Sequence, residues 1–211
     1  MAQTTIIAET ITPEPATRVA VLGTLAEFHR EPIPYDLPAL VRLVEKLRPD
    51  LLCLDMTPDQ WRRREFADLP PEYSEALLPL AHQTDIVVVP IAGNRPPAEP
   101  SAPGWRGGFI TTLRRLLAFI QRTAPGPDAL NEGWLHHVAD LLYGMIARLG
   151  GQRAVQSWQA HTDELVRRVL EVARRDPGRR ILVVVNLRHC HHMRPALRRY
   201  PAIREVPHSL L

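Results

Sequence analysis

Cysteine is scarce in this chain: Cys53 and Cys190 are the only two among 211 residues. Two thiols cannot supply the disulfide framework that holds a small secreted domain, so stability has to come from a buried core, and the length suffices to build one. Lysine is scarcer still. Lys46 stands alone, and the sequence pI of about 9.2 is carried by arginine although the net charge is only +3. The clusters Arg62-Arg63-Arg64, Arg174-Arg175, Arg179-Arg180 and Arg198-Arg199 are scattered among acidic residues, which speaks against the continuous basic stripe of a nucleic-acid binder. Nowhere do about 18 consecutive apolar residues occur, the minimum for a membrane span. Residues 1–17 have neither a basic start nor an apolar run, so a cytoplasmic protein without a membrane partner is expected. Also missing are the glycine-rich phosphate loops G-x-x-x-x-G-K-[ST] and G-x-G-x-x-G and the G-x-S-x-G nucleophile elbow.

What is present is an alternation of apolar runs and amphipathic segments. Arg18–Thr24, Leu51–Asp55, Asp85–Ile91 and Arg180–Val185 read as buried strands, each a short apolar run, the first of them β-branched and bounded by Gly23. Between the first two, Leu37, Leu40, Val41, Val44 and Leu47 fall at helical spacing behind Asp36, a natural N-cap, with Pro38 in the first turn. Thr57-Pro58-Asp59-Gln60 is a capping box that starts a second helix, and a third is expected over Pro71–His82, kinked at Pro79. Strand, helix and strand within about forty residues is the unit of a parallel sheet. The expected fold is α/β, a mostly parallel central sheet flanked by helices, with a helical insertion. Residues 1–17 form a loose arm and 18–211 one domain, in which 92–108 is a Pro/Gly-rich loop able to act as a lid. The helical segment is 109–176, with helices over Thr111–Thr123, Asp128–Leu149 and about Gly151–Arg175.

In an open parallel sheet the ligand crevice lies beyond the carboxyl ends of the strands. Gly23-Thr24, Asp55 and Asn186–His189 fall at such ends, with His29 shortly after the first. Asp55 and His189 are the candidate catalytic residues, Gly23, Thr24 and Asn186 candidates for holding a ligand, and His29, Asp55, His189 and His192 candidate metal ligands. Neutral imidazoles with a carboxylate suit a borderline divalent ion such as Zn²⁺, Mn²⁺ or Co²⁺, or general acid–base work near neutral pH. His191 and His192 point in different directions on any regular backbone, so one at most can join His189. Asp55 has a second reading, stabilising the positive end of the helix that starts at Thr57. His82, His136, His137, His161 and His208 read as ordinary surface histidines.

These segments together resemble the superfamily of the TraB pheromone-shutdown proteins, Tiki proteases, ChaN haem-binding lipoproteins and erythromycin esterases. The likeness is carried by Val21-Leu22-Gly23-Thr24, by Leu47–Asp55, by Pro71-Glu72-Tyr73 through Leu78-Pro79-Leu80-Ala81 with Val88-Val89-Pro90, and by Arg180–Leu197. The chain departs from that pattern at polar positions. Ala26 stands where a histidine is expected, with His29 three residues on, and Asn186 replaces a glycine. Asp55 replaces a glutamate, Ile91-Ala92 stands where an acidic residue often follows the proline, and His161-Thr162 replaces an Arg-Asn pair near Trp158. The resemblance implies a metal-dependent hydrolase acting on a small molecule or peptide. The alternative is a non-catalytic relative binding a small molecule, haem included, in the same crevice. The helical segment offers a surface for a homodimer.

Overall fold

The computed structural model describes residues 17–93 and 99–211. The expected arm, up to residue 16, and residues 94–98 of the Pro-rich stretch lie outside the described residues. Five parallel strands form one sheet in the order β3-β2-β4-β1-β5, comprising β1 (Thr17–Thr24), β2 (Leu51–Leu54), β3 (Val87–Pro90), β4 (Arg180–Asn186) and β5 (Ile203–Glu205). The first four are the apolar runs seen in the sequence. β5 has three residues and one buried apolar side chain, too little to show a periodic signal, and it adds to the edge by pairing with Thr17–Val19. β1 and β4 lie side by side from Arg18 opposite Arg180 to Thr24 opposite Asn186. The two strand ends that are 162 positions apart in sequence are therefore level neighbours.

Strand alternation sorts the side chains to two faces. Ala20, Leu22, Leu52, Leu54, Leu182 and Val184 meet Leu40, Val44 and Leu47 of α1 (Leu37–Leu47), together with Tyr73 and Leu77. Val19, Val21, Cys53, Ile181, Val183 and Val185 meet α7 (Gln152–Arg175) and α8 (Leu187–Arg198). The caps are as expected: Asp36 accepts from the Ala39 N–H, and Thr57 and Gln60 close the capping box of α2 (Pro58–Arg63).

Three expectations need correction. Pro71–His82 is not a kinked α-helix: Glu72–Leu77 winds as a π-helix before α3 (Leu78–His82). Pro79 has no N–H to give to the preceding turn, and at this junction the ladder is already widened, the Leu78 N–H bonding the Tyr73 carbonyl. The expected loop 92–108 ends early, because α4 (Gly104–Thr123) starts seven residues before the expected Thr111. Asp128–Leu149 is two helices, α5 (Pro127–Asn131) and α6 (Trp134–Leu149), separated at Glu132 and by Gly133, whose extended backbone starts α6 afresh. Helix α4 buries Ile110, Leu113 and Leu117, while Trp105, Phe109, Leu116 and Phe119 stand exposed on its other side. No helix among the described residues is long and apolar enough to cross a membrane.

At the end of β1, a Cβ on Gly23 would lie 2.6 Å from Leu187 Cδ1 and 2.9 Å from both Leu187 Cα and Cys190 Sγ. The glycine lets the first turn of α8 rest directly on the strand. Gly23→Ala should therefore lower the unfolding free energy by about 1–3 kcal/mol, the usual cost of overpacking. Urea unfolding checks this, with a lower midpoint at unchanged slope as the expected result; an unchanged midpoint would show that α8 can lift away freely.

Candidate metal-binding site

The chain leaving β2 passes to the face of α1, where Trp61 of α2 packs on the core, whereas the chain leaving β4 turns into α8 on the opposite face. Adjacent strands whose exits diverge leave a crevice at their carboxyl ends. Asp55 lies one residue past β2, and His189 in the first turn of α8, which follows β4 directly. A third residue enters from α7: ligating atoms of Asp55, His161 and His189 all lie within 4.8 Å of one another. His161 Nε2 is 3.1 Å from Asp55 Oδ2. The group can hold a metal ion.

His161 corrects the expectation of a surface histidine, being 8% exposed. Its signal lies in the periodicity, since it stands four residues before Leu165 and eight before Val169, both on the buried stripe of α7. Thr162, next to it, donates its hydroxyl to the Trp158 carbonyl at 2.9 Å and so accepts from His189 Nδ1 at 2.8 Å. That assigns the proton of His189 to Nδ1 and leaves a lone pair on Nε2, to which Arg188 Nε donates at 3.1 Å. Complete burial, then the Arg188 cation and His161, hold this imidazole well below its ordinary pKa. His189 is accordingly neutral, the form a metal requires.

The other expected site residues are engaged in holding the chain. His29 is not brought to this group. It is buried, its Nε2 accepting the Leu25 N–H at 2.9 Å and its Nδ1 donating to the Tyr35 carbonyl at 2.7 Å, so both nitrogens are used. Gly23 gives its N–H to Asn131 Oδ1 at 2.6 Å, and its carbonyl accepts from Tyr35 Oη and Asn131 Nδ2. Thr24 is buried with its hydroxyl 2.7 Å from Glu72 Oε1 and 3.1 Å from the Val185 carbonyl. Asn186 is the N-cap of α8, accepting the Arg188 N–H at 3.2 Å. His192 is exposed and lies edge-on to Trp158 at 4.4 Å between ring centres, outside the group.

Two more of the expected surface histidines are buried. His136 is packed against His191, and His208 lies between Asp128 and Glu132 of the α5 region, while His82 and His137 are exposed. Glu72, not singled out in the sequence, is 1% exposed with Oε2 lacking a hydrogen-bond partner, and burial raises its pKa. A cavity of about 350 Å³ opens between α4, α6, α7 and α8, with Arg188 and Trp158 forming part of its wall next to His189.

No family model, no curated protein and no solved structure matches the chain.

Burial lowers His29 from its ordinary 6.5 to about 4. The unfolded chain therefore takes the proton first, and the contribution of neutral His29 is complete above pH 6.5 and is lost as pH falls towards 4. The loss integrates to about 3 kcal/mol. A glutamine in place of His29 would keep an acceptor for the Leu25 N–H without titrating. Unfolding free energies at pH 7 and pH 4 should thus fall further in the parent than in His29→Gln, by roughly that amount; equal falls would contradict a neutral His29.

Proposed function

We propose that this protein is a metal-dependent hydrolase that binds one divalent ion (Zn²⁺, Mn²⁺ or Co²⁺) through Asp55, His161 and His189 and acts on a small-molecule or peptide substrate admitted through the adjoining cavity. The observation that carries this reading is the convergence of one carboxylate and two imidazoles at the carboxyl edge of the sheet. Ligand atoms sharing one ion lie about 2 Å from it, hence roughly 3–4 Å from each other, so the three side chains need only a small contraction to close on a cation. Three protein ligands leave a coordination position open, the arrangement of catalytic rather than structural sites. When bound there, the ion would bring the pKa of a coordinated water towards neutrality, supplying a nucleophile without a serine or cysteine.

The chain's own residues have definite tasks in this scheme. Thr162 fixes the ring plane and tautomer of His189, as partners behind a ligating histidine do. Asp55 orients His161 and accepts a proton if it is not itself coordinated. Arg188 places a guanidinium beside the triad, where it would stabilise negative charge developing on a substrate oxygen. Relationship to the TraB, Tiki, ChaN and erythromycin-esterase superfamily is part of the proposal, in a form where His161 contributes what Ala26 cannot. The haem alternative has less support, because His189 is wholly buried and so presents no open ring face to a group as large as a macrocycle.

Metal-stripped protein titrated with Zn²⁺, Mn²⁺ or Co²⁺ should take up about one ion per chain. At a hundredfold excess over Kd it should gain about 2.7 kcal/mol of stability. Asp55→Asn and His161→Ala should abolish both effects. No uptake of any of the three ions would overturn the reading. Hydrolysis of aryl esters or peptides by the loaded protein, lost in His161→Ala, tests the catalytic half; uptake without hydrolysis would make this a binding site only.

A further inference from the structure

Glu99 lies across the cavity mouth. Its Oε1 is 3.3 Å from Arg188 Nη1 and its Oε2 3.4 Å from Arg114 Nη2, so one carboxylate spans two guanidiniums carried by different helices, α8 and α4. Both contacts are long and the Glu99 side chain is 72% exposed, which marks a weak, solvent-screened tether. Behind it the cavity is walled by Leu117, Tyr143, Ile146, Ala154 and Trp158, and Arg148 lies at the same cavity. The other acid of the wall, Asp140, is turned to His191, its Oδ2 3.3 Å from Nε2.

We propose that this cavity receives an aliphatic or aromatic carboxylate, head between Arg114 and Arg188 and tail among the apolar side chains, and that Glu99 holds the place of the head in the free protein. A planar two-oxygen anion is what two guanidinium forks recognise. A volume near 350 Å³ suits a small molecule rather than a chain segment of many residues. A ligand carboxylate also draws on Arg188, the residue that occupies Nε2 of His189. This assignment of substrate class rests on the hydrolase reading; the binding event itself requires no metal.

Calorimetric titration of the metal-free protein with octanoate tests it. Octanoate should bind at least ten times more tightly than octan-1-ol. Arg114→Gln and Arg188→Gln should each weaken octanoate at least tenfold, while Glu99→Gln, which removes the competing anion, should tighten it several-fold, a gain that misfolding cannot imitate. Equal binding of octanoate and octan-1-ol, no octanoate binding, or unchanged or weaker binding by Glu99→Gln would overturn the proposal. Octanoate binding without metal uptake sinks the hydrolase reading alone, and metal uptake without octanoate binding sinks this one alone.

Discussion

The carboxyl edge of this sheet depends on how closely the first turn of α8 lies on the last residues of β1. Absence of a side chain at Gly23 brings Leu187 and Cys190 onto the strand. Such an approach would strand the backbone polar groups of Gly23 away from water, a cost avoided only if partners are supplied. Asn131, 108 residues away and itself fully buried, supplies them, its amide facing the Gly23 peptide with a donor and an acceptor. Arg194 from the far end of α8 then ties the same knot, bonding the Val21 carbonyl and the carbonyl of Asn131. With α8 fixed in this way, His189 in its first turn is aimed at the end of β2 and at α7, and the triad follows.

That dependence explains which parts of the structure are legible in the sequence. Strands β1 to β4 and helix α1 announce themselves because each buries a regular face, and the capping residues Asp36 and Thr57 act within their own turn. Asn131 acts across the whole fold, and nothing local distinguishes it from an ordinary helix-end asparagine. Gly23-Thr24 looks like a ligand-binding turn for the same reason that it is a packing site: both uses require backbone that can be approached closely. His29 illustrates the limit of position as a guide. It follows β1 as His189 follows β4, but it caps the Leu25 N–H of its own turn, and its ring is spent on local backbone.

His161 shows the opposite error. The general tendency of histidine towards the surface hides it, although its spacing from Leu165 and Val169 puts it on the buried stripe of α7. A histidine on such a stripe needs polar partners at that depth, and Asp55 is the one it meets. The carboxylate just past β2 and the imidazole of α7 thus form one polar pair, each giving the other a partner at that depth.

The site is also poised between two states by its charges. One carboxylate beside two imidazoles gives this cluster an anionic group that attracts cations, and the Arg188 guanidinium is a cation already lying against it. In the free protein Arg188 satisfies the Nε2 lone pair of His189, and without it that buried acceptor would be unpaired. A cation must displace a group of like charge to reach the same nitrogen. Binding of a metal through His189, as proposed, would therefore require the Arg188 Nε–H to leave this nitrogen, and the carboxylate of Glu99, already 3.3 Å from Nη1 of the same guanidinium, is an alternative partner that the protein itself provides.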